Sequence, residues 1–494
     1  MLRVGIHATP LPVHARRRAK NDRRRTLDRM KQLRHKVQAS VLFIAIALAW
    51  SPNGPAQTRQ NGAPGELSSQ PPVPSGETVT APEAEGSRPG AAPGRNVKPI
   101  EPVVPAGTPY EVDSFLIYPE FDATFFYDDN VFYTNTHRRS DHAWVLSPSI
   151  WVQSNWARHA LNFQAGLDAT RYNTYDIEDT NDYRMSAEGR YDIDVNTNVY
   201  GGGGYSKNHE DRESPDARNG LLPTVYFQQR YYAGFFHQAE RLSLRIAGTA
   251  NRLNYQDVPF LTGSGVINII NNDDRDRWQY TGGARLGYEV SPRLEPYLQL
   301  AIDNRDYINT PDDLGYQKSS TGGRYLVGVK WNVPRTLKLD AFAGYLTQNF
   351  DDPRFSNVNK PVFGGALLYA LTDSTRLSAF LDRTLEETTV TEIVAPGVVQ
   401  SASSYLNTYG LVGINHRLSA DWSLRGDVSA SRAAYQGIDR TDDYFGATLG
   451  VGYRMTPNLY LDFSVAYRKL NSSVPDEDFK KRMAFLRIAV PLSH

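Results

Sequence analysis

The segment Leu459-Tyr460-Leu461-Asp462-Phe463-Ser464-Val465-Ala466-Tyr467-Arg468 puts Leu459, Leu461, Phe463, Val465 and Tyr467 at one parity and Tyr460, Asp462, Ser464, Ala466 and Arg468 at the other. A period of two describes a strand with one greasy and one wet face. The rhythm recurs at Leu242, Leu244 and Ile246 against Ser243, Arg245 and Thr249. It recurs again at Leu294, Leu298, Leu300 and Ile302 against Glu295, Gln299, Asp303 and Arg305, and at Trp422, Leu424 and Val428 against Ser423, Arg425 and Asp427. From Phe121 onward such segments fill the chain.

The connections alternate as well. Tight polar turns fall at 154–155, 196–198, 238–240, 291–293, 333–335, 372–374, 419–421 and 456–458. Longer charged loops fall near 134–142, 172–182, 206–223, 255–276, 306–318, 350–359, 386–403, 433–442 and 471–478. Eight turns and nine loops join 18 strands. Short connections on one side and long ones on the other are the asymmetry of an outer-membrane barrel. The expected fold is therefore all-β: a transmembrane antiparallel up-and-down β-barrel over residues 110–494. An even strand count puts both barrel termini on the short-turn, periplasmic side. A soluble sandwich of so many long hairpins would expose edges, whereas closure removes them and satisfies every backbone group in lipid.

The wet face carries charge. Its bases are Arg245, Arg285, Arg305, Lys338, Arg425 and Arg468; its acids are Glu289, Glu295, Asp303, Asp340, Asp427 and Asp462. A dry core could not hold them, so they are expected to line a water-filled lumen. Their near-balance predicts weak ion selectivity. Trp144, Trp151, Trp156, Tyr231, Tyr232, Trp278, Tyr280, Trp331 and Tyr453 stand near strand ends, as interfacial girdles require, with stacking inside the lumen as the alternative for about a third of them.

The region before the strands reads differently. The apolar run Val37–Trp50 is too short for a transmembrane helix and follows Lys31, Arg34 and Lys36. With Gly54-Pro55-Ala56 as a cleavage site before Gln57, residues 1–56 read as a secretory signal peptide behind a basic extension. Met30 is an alternative start that would remove Arg16–Arg18 and Arg23–Arg25. Residues 57–109, rich in Pro, Gly, Ala, Ser and Glu, read as a disordered periplasmic linker. The chain has no cysteine, as suits export, and its 54 Lys+Arg balance its 54 Asp+Glu, so no nucleic-acid partner is expected. Mean hydropathy is −0.50, too polar for a helical membrane protein.

Catalytic patterns are missing. The sequence holds no zinc-protease, nucleophile-elbow or phosphate-loop motif, so no enzyme activity, cofactor or metal is expected. Gly201–Gly204 lies inside a strand with no helix after it, and reads as small residues that let the strand bend or let bulk cross the lumen. Asn415-His416 lacks a nucleophile beside it. The doublets Asp128-Asp129, Asp273-Asp274, Asp312-Asp313, Asp351-Asp352 and Asp442-Asp443 read as solvated loop charge, with calcium bridging to lipopolysaccharide as the alternative.

The first strand runs into Tyr127-Asp128-Asp129-Asn130-Val131. This core, after an alternating segment and a Pro-rich lead, resembles the opening of the β-barrel porin 2 family of outer-membrane proteins, over about residues 110–494. The resemblance implies a non-enzymatic conduit. It extends to two roles: the outer-membrane channel of an exopolysaccharide or capsule export system with a periplasmic partner protein, or a general diffusion porin. A structural or adhesion barrel is a further reading. Outer-membrane lipid, lipopolysaccharide and the barrel assembly machinery are the other expected partners. The chain ends Val490-Pro491-Leu492-Ser493-His494, without the terminal aromatic that this machinery usually reads.

Overall fold

The structure is a computed structural model that describes residues 109–217, 220–262, 265–396 and 398–492. The expected signal peptide and nearly all of the linker lie outside these residues. Eighteen long strands form one antiparallel ring. They are β1 (Phe115–Asp128), β2 (Asp141–Ser154), β3 (Ala160–Tyr172), β4 (Thr180–Asp192), β5 (Thr197–His209) and β6 (Val225–Ala239). Next come β7 (Leu242–Tyr255), β8 (Arg277–Tyr288), β9 (Leu294–Tyr307), β10 (Ser320–Val333), β11 (Leu337–Phe350) and β12 (Val358–Thr372). The ring is completed by β13 (Thr375–Glu386), β14 (Ser404–Arg417), β15 (Trp422–Gln436), β16 (Thr441–Thr456), β17 (Leu459–Ser472) and β18 (Phe479–Pro491).

Each strand pairs with its neighbours in sequence, and β18 pairs with β1 from Met483 opposite Asp128 to Pro491 opposite Glu120. The ring therefore has no free edge, as a sheet in hydrocarbon must. A short strand, Tyr110–Val112, folds back onto the start of β1. Two hairpins stand in the loops, Val258–Leu261 with Ile267–Ile270, and Thr391–Ala395 with Val398–Ser401.

The period-two pattern decides which way each side chain faces. On β9, Leu298, Leu300 and Ile302 are 57%, 56% and 66% exposed, whereas Tyr297, Gln299 and Ala301 are buried inside. Large aliphatics outside and polar groups inside invert the soluble order, because the outer medium is lipid. Trp144, Tyr231, Tyr280 and Trp331 face outward and exposed, and Trp422 stacks on Tyr453 with centroids 4.4 Å apart. Trp151 and Tyr232 take the lumen alternative, since register puts them on the inward face.

Tyrosines on that face lie sideways over glycines of the next strand. Tyr232 faces Gly202 and reaches Glu188 on β4 at 2.8 Å. A Cβ at Gly202 would sit 2.8 Å from that hydroxyl, which explains one member of the four-glycine run.

Candidate functional site

The inner wall grades from open to closed. Toward the short-turn end the Arg425 side chain is 44% exposed and that of Asp340 36%. Toward the loop end those of Arg305 and Lys481 are 8% and 4% exposed. The lumen is a funnel that fills near the loops.

The sequence-selected charges sit along this funnel. Arg285 donates to Gln299 Oε1 at 2.7 Å and lies 3.3 Å from Asp340. Ser243 Oγ donates to Glu295 at 2.5 Å, and Arg245 sits over the Phe236 ring at 4.9 Å. Arg425 pairs with Asp462, Asp427 stands opposite Thr448, Arg468 opposite Gly446, and Lys338 opposite Asn332. Asp303 pairs with Arg305 at 2.8 Å. Glu289 is not on a strand: β8 ends at Tyr288, and Glu289 sits in the following turn with its N–H on the Arg241 carbonyl.

The Tyr127–Val131 motif forms the corner where β1 becomes the first loop. Tyr127 faces outward, 37% exposed, while Asp128 points in and pairs with Lys481 of β18 at 2.6 Å. Asp129 Oδ1 accepts the Arg482 N–H at 2.6 Å. Asn130, fully buried, donates to the Thr134 and Lys480 carbonyls and accepts the Thr134 N–H. The Val131 N–H reaches the Arg139 carbonyl at 2.8 Å. Lys481 also lies over the Tyr133 ring, 3.6 Å from its centre. These residues bind the first loop to the last strand across the closing seam.

The largest obstruction comes from β13 and β14. The β12–β13 ladder stops at Gly364 opposite Asp382, yet β13 continues to Glu386 paired with β14. Above that point the β13–β14 tip packs inward. Leu385 and Leu406, lipid-facing by parity, are instead buried in one cluster with the inward Leu326, Leu346 and Val362. Arginines three and four strands away grip the tip. Arg324 Nη2 donates to the Arg383 carbonyl at 3.1 Å and Arg305 Nη2 to the Leu385 carbonyl at 3.2 Å. Glu387 takes Arg305 Nη1 and the Tyr307 hydroxyl.

A second loop meets this tip. The loop after β5 brings Asp216 to the loop after β13. Its Oδ1 accepts from Thr388 Oγ1 at 3.0 Å, the Thr389 N–H at 2.8 Å and Thr389 Oγ1 at 2.7 Å. The two loops arise eight strands apart in a ring of eighteen, so the bridge spans the mouth. The loop after β5 is itself pinned by two buried ion pairs, Glu210 with Arg275 and Glu178 with Arg212, each 2.5 Å. Burial pushes the Glu210 carboxyl up while Arg275 opposes the shift. Beneath the bridge lies a cavity of about 100 Å³ whose lining includes Asp216, Arg277, Arg305, Glu386 and Tyr405.

The aspartate doublets are not plain solvated charge. One carboxylate of each of four doublets is buried and meets a cation. Besides Asp128, these are Asp312 with Lys318 at 3.2 Å, Asp352 with Arg354 at 2.6 Å and Asp442 with Arg440 at 2.8 Å. The hydrogen bond from Arg354 holds Asp352 well below the usual carboxylate range. In the remaining doublet, Asp274 Oδ1 is buried without a hydrogen-bond partner, and burial pushes that carboxyl up to about 6. Asp312 adds to the shift and Lys318 opposes it. Among the described residues no three His, Cys, Asp or Glu side chains are grouped to hold a metal ion. His416 bonds only across the sheet, to Thr375 Oγ1 at 2.8 Å.

A closed ring of lipid-facing aliphatics around a charged, funnelled interior defines an outer-membrane β-barrel of the porin-like class. The chain belongs to the "Putative beta-barrel porin 2" family, whose match spans residues 101–491. No curated protein matches it. Similar solved structures include OpdO of Pseudomonas aeruginosa, 14% identical, covering 77% of this chain and 98% of that one with a TM-score of 0.42. The copper transporter OprC is 10% identical, with 76% and 81% covered and a TM-score of 0.42. A mutant ferric enterobactin receptor, PfeA of Pseudomonas aeruginosa, is 8% identical, with 78% and 81% covered and a TM-score of 0.39.

Proposed function

We propose that this barrel is a diffusion channel for small polar solutes, wide at the short-turn end and narrowed beneath the loops. The observation that carries this reading is the Asp216 bridge to Thr388 and Thr389, closing over a tip already clasped by Arg305 and Arg324. A small solute passes beside such an obstruction through polar walls; a polymer strand needs it removed.

The full chain, purified and reconstituted in planar bilayers, is expected to give small, ohmic, weakly selective conductance. Sugars added to liposomes are expected to enter up to a sharp size limit. A silent bilayer together with liposomes that admit no sugar overturns the reading.

Polysaccharide export with a periplasmic partner, the other role implied by the resemblance, would require the tip to leave the wall and break the Arg305–Glu387 pair. A deletion strain that loses its surface polysaccharide, while the purified barrel passes no small solute, would favour that role instead.

A further inference from the structure

The inward charges cancel in sum but not in place. Strand register sorts them by arc of the ring. On β1 to β5 the inward residues include Glu120, Asp122, Asp168, Asp182, Glu188 and Asp192, against Arg184 and Arg190 on the same strands. Arg487 of β18 neutralises part of this arc through Asp122 at 2.5 Å, and Lys481 pairs with Asp128. The arc remains acidic. On β6 to β11 the sign reverses. Arg230, Arg245, Arg277, Arg285, Lys330 and Lys338 face in, joined by Arg305 and Arg324, against Glu295, Asp303 and Asp340.

The cavity under the bridge repeats this division on a smaller scale. Arg277, only 5% exposed, lines it from the basic arc, and its Nε has no hydrogen-bond partner. Its Nη1 is spent on the Arg275 carbonyl at 3.0 Å. Asp216 and Glu386 line the same cavity from the loop and the β13 tip. A buried guanidinium nitrogen left open is a place for an anionic oxygen, because leaving it unmet costs the desolvation of a charged donor. Carboxylates in the same lining suit a cationic group.

Walls of opposite sign set a field across the passage rather than along it. In a confined lumen of reduced dielectric such a field orients a dipole and repels neither end. We infer that the solutes this barrel favours are small zwitterions carrying one carboxylate and one ammonium. The carboxylate travels along the β6–β11 arc and pauses at Arg277; the ammonium travels along the β1–β5 arc. This rests on the diffusion-channel reading and names its substrate class.

Glycine and glycolamide test it, being isomers of which only the first is zwitterionic in water. In liposomes holding the full chain, glycine is expected to enter several-fold faster than glycolamide. The variant pair Asp182→Asn with Glu188→Gln, and the pair Arg230→Gln with Arg245→Gln, are each expected to bring that ratio near one. Arg277→Gln is expected to lower it with every other charge of the two arcs in place. The two pairs are also expected to move the K⁺/Cl⁻ reversal potential in opposite directions, the first toward anions and the second toward cations. This readout comes only from channels that have folded and inserted. Entry of glycolamide with no glycine preference, or reversal potentials unmoved by either pair, overturns the inference while sparing the channel. Entry of neither solute sinks both.

Discussion

The Tyr297 hydroxyl donates to Asp340 Oδ1 at 2.5 Å from two strands away, with its ring laid across Gly328 of the intervening strand. A Cβ at Gly328 would lie 2.3 Å from the Tyr297 ring carbon Cζ. The same arrangement puts Tyr200 over Gly234. Gly328→Ala is therefore expected to destabilise the barrel by about 1–3 kcal/mol through overpacking. Tyr297→Phe keeps the ring and loses the hydrogen bond, so its cost should be smaller. The temperature at which the folded band disappears on semi-native gels measures both. An unshifted Gly328→Ala would mean the ring does not depend on that gap.

The Asp128–Lys481 pair joins the two ends of the ring and is almost wholly buried. Removing one partner of such a pair strands the other charge, at a cost of about 3–5 kcal/mol. Lys481→Met is expected to show that loss, and Lys481→Met with Asp128→Leu to recover most of it. Equal loss in the single and double variants would argue that the charges themselves are not what holds the seam.

Parity on β9 predicts a contrast between neighbours. Leu300 faces lipid and Gln299 faces the lumen. Leu300→Arg should cost about 2–4 kcal/mol if it lies near the bilayer midplane. Gln299→Ser should cost far less while changing conductance. Stability by reversible unfolding from vesicles, set beside single-channel current, separates the two faces.

Asp216→Ala removes the acceptor that three donors from Thr388 and Thr389 share. Single-channel conductance is expected to rise, or to become noisier as the two loops part. Cross-linking the loops through cysteines at 216 and 389 should restore the quiet state. Traces identical in all three proteins would show that the bridge does not limit flow.

The raised Asp274 carboxyl makes one loop sensitive to pH. Its folded-state value of about 6 exceeds the ordinary 3.8, so the folded loop holds the proton more tightly than the unfolded one. Stability is then greatest below about 4, falls as pH rises through about 6, and is flat above. Opening at 272–276, followed by hydrogen exchange corrected for its intrinsic pH dependence, should increase from pH 5 to pH 8 by at most about tenfold, and by less to the extent that solvent screening weakens the shift. Asp274→Asn should abolish the slope. A wild-type slope that survives the substitution would assign it to another group.

The strands were readable because lipid on one side and water on the other leave a period-two record in every segment. Leu459–Arg468 carries the record, and eighteen strands follow from counting it. The eighth loop was drawn too long. Ala433 and Tyr435 look like loop residues in sequence, yet they keep the inward parity of β15 and pair up to its end at Gln436, leaving only 437–440 between strands. The inward fold of the β13–β14 tip left no local trace. It rests on contacts between residues far apart, such as Asp216 with Thr389, 173 positions away. Leu385 and Leu406 read as lipid-facing and meet other leucines instead. Of the aspartate doublets only Asp442-Asp443 lies wholly on a strand, where alternation separates the two acids; the partners of Asp312 and Asp352 come from loop packing that leaves no such mark. The opposed arcs were hidden by adding the charges up; kept in chain order, acids before Thr197 and bases after Val225 already lean apart.

The corner at Asp129 meets Arg482 across 353 residues of chain. Nothing upstream of the final strand can supply that partner. A barrel halted one hairpin short would leave the Asp128 carboxylate on the inner face of an open edge without its lysine, a charge with nothing to meet it. The first strand thus withholds its full stability until the last is in place, and an unfinished wall is penalised at the seam where it would leak.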